Sequence, residues 1–211
     1  VKPQARALDS DFRCKRAISR ATRHSGAKPG PLDRIERMFV LGVDPGLSRC
    51  GFGGVAEEHG EQRALAAGVI TSDPALPVPA RLATLHGELD ALVSELRPDV
   101  VAVERVFFQT NARTAMAVGQ ASGVALLVAA EHGCRVVEYT SNEVKLAVAG
   151  YGGADKAQLQ GMVTRLLRLS SVPDPPDVAD ALALALCHLA ARRVERLAEP
   201  AADRVARMAR R

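Results

Sequence analysis

The sequence predicts an α/β domain in which a mixed five-stranded sheet carries helices on both faces. Three observations lead there. Apolar β-type runs at 38–44 and 99–104 each finish in a carboxylate, Asp44 and Glu104. The polar segment Glu57-Glu58-His59-Gly60-Glu61 joins two further short apolar runs, as an antiparallel meander requires. Beyond residue 78, helix-period segments alternate with β-type ones, the pattern of parallel strands joined by crossover helices.

Taken in order, Met38 to Asp44 is a buried strand ended by the turn Pro45-Gly46, followed by strands at about 51–56 and 64–71. Val78, Leu82, Leu85, Leu89, Leu92, Val93 and Leu96 recur at helical steps until Arg97-Pro98 stops them. The strand Asp99 to Glu104 follows, then a helix over 112–132 with a small face of Ala115, Gly119, Ser122 and Gly123, suited to packing on a sheet or on a second copy of the chain. After the strand Cys134 to Tyr139, Thr140 and Glu143 have capping-box spacing for a short helix through Val148. Leu159, Met162, Val163, Leu166 and Leu167 mark a helix from Asp155 to Leu169. Asp174-Pro175-Pro176 starts the last, which runs to about Arg192.

Length and composition exclude several classes. The 211 residues are 47% apolar and 25% charged, which suits one folded domain, and no unbroken apolar run reaches the length of a membrane span. Cys14, Cys50, Cys134 and Cys187 form no Cys-x-x-Cys pair, so reduced thiols in a cytoplasm are expected, not a disulfide framework or a structural zinc site. The net charge of +4 belongs to the ends: 1–37 carries +6 and 190–211 carries +4, leaving −6 for 38–189. Any nucleic-acid surface on the central body is therefore a local patch and not its mean field. Three parts follow: a basic N-terminal extension over 1–37, with Met38 a natural start; a folded domain over 38–190; and an Arg-rich tail over 191–211.

The chemistry is expected at four acids. Asp44 and Glu104 sit at the carboxyl ends of strands, the edge of an α/β sheet where sites form. Asp177 and Asp180 are three apart at the start of a helix and share one face. Brought together, four carboxylates repel one another unless cations neutralise them, and an all-oxygen set suits two Mg²⁺ ions, with Mn²⁺ a substitute. Such a pair of ions, about 3.5–4 Å apart, catalyses phosphodiester hydrolysis. Each acid also has an ordinary structural reading: Asp177 as a helix cap, Asp44 as a turn residue, Glu104 as a solvated strand end.

Val43-Asp44-Pro45-Gly46, Ala102-Val103-Glu104-Arg105-Val106-Phe107, Asn142-Glu143-Val144-Lys145, Ala154-Asp155-Lys156 and Asp177-Val178-Ala179-Asp180-Ala181-Leu182-Ala183 resemble, in order and spacing, the motifs of the RuvC family of Holliday-junction resolvases. The resemblance spans Met38 to His188. It implies an RNase H-like fold, a homodimer, Mg²⁺-dependent nicking of two opposed strands of a four-way junction, and action beside the RuvA and RuvB branch-migration proteins. It makes Asp44, Glu104, Asp177 and Asp180 the metal-binding catalytic set, with Lys145 and Lys156 as basic residues that hold phosphate or transition-state charge. Phe107 matches an aromatic of the junction-contacting loop and can stack on an unpaired base. Around it, Arg105, Phe108, Gln109, Asn111 and Arg113 are candidate DNA contacts, being aromatic, amide and guanidinium groups next to Glu104. The alternative within the same fold is a YqgF-type nuclease acting on RNA or branched nucleic acid.

Overall fold

The computed structural model describes residues 37–105 and 112–198. The elements are β1 (Arg37–Asp44), β2 (Arg49–Glu58), β3 (Glu61–Thr71), α1 (Val78–Leu96), β4 (Val100–Glu104), α2 (Ala112–Glu131), β5 (Arg135–Tyr139), α3 (Ser141–Ala149), α4 (Lys156–Leu166) and α5 (Pro176–Ala198). The five strands lie in the order β3-β2-β1-β4-β5. β1, β2 and β3 pair antiparallel, while β4 joins β1, and β5 joins β4, in parallel. The expected mixed sheet is the observed one.

Local chemistry sets the boundaries. β2 and β3 turn at His59 and Gly60, both at positive φ (53° and 82°), the two-residue hairpin whose twist matches its strands. α1 ends where Arg97 takes a left-handed φ of 49° before Pro98, its N–H donating to the Val93 carbonyl at 2.8 Å. α3 and α4 open on full capping boxes, Thr140 with Glu143 and Asp155 with Gln158. Asp99 begins no strand; its carboxylate instead accepts from the Phe39 N–H at 2.8 Å and its own N–H donates to the Phe39 carbonyl, locking β4 beside β1.

Alternation along the strands divides the core. Phe39, Leu41, Val43, Phe52, Ile70, Val101 and Val103 face α1 and α2, whereas Val40, Val55, Val69, Val100 and Ala102 face α3, α4 and α5. Helices therefore cover both faces.

Two expectations are corrected. The last helix does not stop near Arg192: α5 runs to Ala198, and Arg196 reaches the buried Glu57 on β2 at 3.0 Å, a partner no local pattern reveals. The span Thr114–Glu131 of α2 is also long and apolar enough, by length and composition, to cross a membrane. Ala, Val and Leu raise its hydropathy, and Gly119, Gln120, Ser122 and Gly123 interrupt it. Its inner face, Ala121, Ala125, Val128 and Ala129, is packed on the sheet, while Met116 and Leu127 stand 64% and 51% exposed. The small face splits likewise, Ser122 buried and Gly119 and Gly123 open. Cys50, Cys134 and Cys187 are free thiols; Cys14 lies outside the described residues.

Candidate active site

Parallel pairing of β1 and β4 sets the first two acids side by side. The register matches Val43 with Val103, so the next residues, Asp44 and Glu104, leave adjacent strands together. Burial first, then the charges of Glu104, Asp180 and Asp177, push the Asp44 pKa from 3.8 up to about 7.

The second pair arrives on α5, which crosses β1 and β2 at backbone contact. A Cβ on Gly51 would lie 2.2 Å from the Asp177 carbonyl oxygen, and one on Gly42 would lie 1.9 Å from that of Ala181. Only glycine permits this approach, and it is what lowers the first turn of α5 onto the strand ends. Neither glycine is evident as a site residue from sequence, although four glycines within β1 and β2 are a signal in retrospect.

Asp44, Glu104 and Asp180 line one depression of about 240 Å³ together with Lys145, Lys156, Ser141, Val144, Leu159 and Leu184. Both sequence-predicted lysines thus stand at the acids, Lys145 from α3 and Lys156 from the first turn of α4. Lys156 Nζ lies 3.4 Å from Asp180. Burial raises the Glu104 and Asp180 carboxyls above their ordinary values, and the two lysines oppose that rise in both.

Asp177 departs from the expected convergence. Its carboxylate is turned to Arg49, Nη2 to Oδ2 2.6 Å, and it is absent from the lining of that depression. Among the described residues no three His, Cys, Asp or Glu side chains are gathered closely enough, as they stand, to ligate one ion. The reason is electrostatic: four acids with no cation between them take the nearest positive groups or a proton. Arg49 holds Asp177, Lys156 holds Asp180, and burial with the neighbouring charges raises the Asp44 carboxyl to about 7. The donor set nonetheless fits a hard divalent cation, because Asp44, Glu104 and Asp180 bring carboxyl oxygens to one depression where burial and mutual repulsion raise all three above their ordinary values.

Sequence reasoning also missed Arg49 and the residues that place it. The turn between β1 and β2 is held from behind by α1: Arg81 donates to Ser48 Oγ at 2.6 Å and to Ser72 Oγ at 3.0 Å, and the Ser72 hydroxyl donates to the Leu47 carbonyl. Of the expected DNA contacts, Arg105 is exposed at the end of β4, its N–H bonded to the Tyr139 carbonyl at 2.8 Å. Phe107, Phe108, Gln109 and Asn111, and the side chain of Arg113, lie outside the described residues.

The profile of the family described as crossover junction endodeoxyribonuclease RuvC matches residues 40–188, which contain all four acids and both lysines. The chain belongs to the RuvC family. Two RuvC proteins described as crossover junction endodeoxyribonucleases are similar to it: that of Salinispora arenicola is 58% identical over 153 residues, covering 72% of this chain and 87% of its own, and that of Alkaliphilus oremlandii 50% identical over 151 residues, covering 72% and 92%. Thermus thermophilus RuvC in complex with Holliday junction substrate superposes with a TM-score of 0.71 at 37% identity, covering 75% of this chain and 96% of that one. The yeast mitochondrial Holliday junction resolvase Ydc2 has a TM-score of 0.51 at 13% identity, covering 72% and 78%, and shares the fold.

The RuvC fold is RNase H-like, as the sequence led one to expect. RuvC nucleases use a divalent metal, in keeping with the donor set just described.

Proposed function

We propose that the chain resolves Holliday junctions, hydrolysing one phosphodiester in each of two opposed strands and leaving 5′-phosphate and ligatable 3′-hydroxyl ends. The observation that carries this reading is the depression at the strand ends, where Asp44, Glu104 and Asp180 meet Lys145 and Lys156 in a RuvC chain.

Asp44, Glu104 and Asp180, with Asp177 once it leaves Arg49, would hold two Mg²⁺ ions, Mn²⁺ serving as substitute. When bound, such ions lower the pKa of the attacking water and neutralise charge on the phosphate and the leaving oxygen. Lys145 and Lys156 face the same depression and hold the phosphate there, adding positive charge where the pentavalent phosphorus develops negative charge. Leu159, Leu184 and Val144 wall it with apolar surface, which lowers the local dielectric and strengthens those contacts. Phe107, with Arg105, Phe108, Gln109, Asn111 and Arg113 around it, contacts the junction beside the cut.

Paired cuts call for two sites. The exposed face of α2, with Met116, Gly119, Gly123 and Leu127, supports a symmetric homodimer that sets one acidic site on each of two equivalent phosphates. The central domain spans 38–190 together with the rest of α5 to Ala198, and the basic segments on either side add charge toward DNA; RuvA and RuvB are its branch-migration partners in the cytoplasm. The test compares a synthetic four-way junction with linear duplex of the same sequence, with and without Mg²⁺. The junction alone is cut, and Asp44→Asn binds it without cutting. Equal cutting of duplex, or cutting by Asp44→Asn, contradicts the reading.

A further inference from the structure

We propose that Arg49 is a built-in counter-ion for Asp177, occupying that carboxylate until a divalent cation displaces it, so that the two metal positions of the site load unequally. The inference rests on the metal-dependent reading above and deepens it.

Three observations carry it. The guanidinium, 50% exposed, and the Asp177 carboxylate are in direct contact at 2.6 Å, whereas Lys156, 77% exposed, meets the equally buried Asp180 at 3.4 Å. Both ends of the Arg49 pair are fixed by backbone. Arg49 opens β2 directly after the turn that Arg81, Ser48 and Ser72 pin to α1. Asp177 sits against Gly51, two residues along the same strand, at a distance no side chain would allow. The pair is therefore set by the fold and is not a chance meeting of two long side chains.

The chemistry of arginine gives the contact its consequence. A guanidinium keeps its charge across the working pH range, so Arg49 is not removed from Asp177 by losing a proton, and an incoming ion has to compete with it for the carboxylate. Among the described residues, Asp44, Glu104 and Asp180 have no arginine in such contact, and the cation beside Asp180 is the exposed Lys156 at 3.4 Å, which an ion displaces more readily than Arg49. The first ion thus enters at Asp44, Glu104 and Asp180. The second competes with Arg49 for Asp177. The half-exposed Arg49 side chain already lines a second depression, of about 330 Å³, with Gly68, Val69, Thr71 and Asp174, which leaves it room to move aside.

Mn²⁺ titration of the full-length protein without DNA, followed by calorimetry and by electron paramagnetic resonance of free Mn²⁺, tests this. Wild type is expected to bind two ions with distinct affinities. Arg49→Gln is expected to tighten the weaker site about fivefold, the magnitude of a part-exposed ion pair, and to leave the tighter one unchanged. Arg49→Lys, which restores a cation, falls between them. The unchanged tight site serves as the internal control for folding. Equal or weaker affinity at the second site of Arg49→Gln overturns the role of Arg49 while leaving the acidic cluster as a metal site. Absence of any Mn²⁺ binding by wild type overturns the metal reading itself, and this inference with it.

Discussion

Gly42 and Ala181 meet so closely that a Cβ on the glycine would lie 1.9 Å from the Ala181 carbonyl oxygen and 3.0 Å from the Ala185 nitrogen. The obstacle is backbone on α5, with no flexible side-chain end to yield. Gly42→Ala is therefore expected to lift α5 from β1, costing about 3 kcal/mol or more. Because Asp180 rides on that helix, junction cleavage falls further than the loss of folded protein explains. Urea unfolding beside single-turnover cleavage separates the two effects.

Asp44 gives the metal-free protein a distinctive pH dependence. Its carboxyl is raised from 3.8 to about 7 in the fold, so the folded state binds the proton more tightly than the unfolded chain. That contribution to stability is fully present below pH 3.8 and is lost as pH rises through about 7. At pH 8 the buried charge costs about 4 kcal/mol relative to pH 3. Asp44→Asn removes the penalty: in chelator its melting temperature at pH 8 exceeds that of wild type, and the gap closes toward pH 4. Added Mg²⁺ stabilises wild type at pH 8 and does little for the variant.

Tyr139 and His188 form the opposite case. The Tyr139 hydroxyl lies 2.7 Å from His188 Nδ1, while Nε2 is, among the described residues, the buried side-chain nitrogen left without a hydrogen-bond partner. Burial lowers the His188 pKa below 6.5, so the unfolded chain takes the proton more readily, and stability declines as pH falls below 6.5 toward the folded value. Tyr139→Phe strands the second ring nitrogen as well and costs about 1–2 kcal/mol at neutral pH. Chemical denaturation of the variant checks it, and junction binding is expected to be unchanged.

The β1-β2 turn yields a further expectation. Arg81 donates to Ser48 in the turn and to Ser72, whose hydroxyl holds the turn's Leu47 carbonyl, and without these bonds Arg49 and Asp44 lose their fixed relation. Arg81→Ala is expected to cost about 1–2 kcal/mol, discounted for partial exposure, and to lower the rate of single-turnover cleavage more than it weakens junction affinity. A change confined to affinity would place the role of Arg81 elsewhere.

Much of this was legible in the chain. Asp44 and Glu104 stand out because apolar strands end in charge, and the capping boxes at Thr140 and Asp155 announce their helices without help from the rest of the fold. What stayed hidden depends on contacts across the sheet. Gly42 and Gly51 read as weak points in strands until α5 is laid over them. Arg49 is one of many arginines until the turn before it is tied to α1 and Asp177 settles 128 residues away. The extension of α5 past Arg192 is invisible for the same reason, since its partner Glu57 lies on β2, 139 residues away. Convergence of the four acids was expected from their places at two strand ends and one helix start; the turning of Asp177 to Arg49 and of Asp180 to Lys156 follows from their charges with no metal between them.

The most direct test of the account is to label each of the four strands of a mobile junction in turn and map the products of wild type and Asp180→Asn in Mg²⁺. The account predicts nicks at matching positions on two opposed strands, ends that a ligase reseals, and a loss of roughly a thousandfold or more in the variant with junction binding kept. Cuts scattered over all four strands, or cleavage by Asp180→Asn at near wild-type rate, would contradict it.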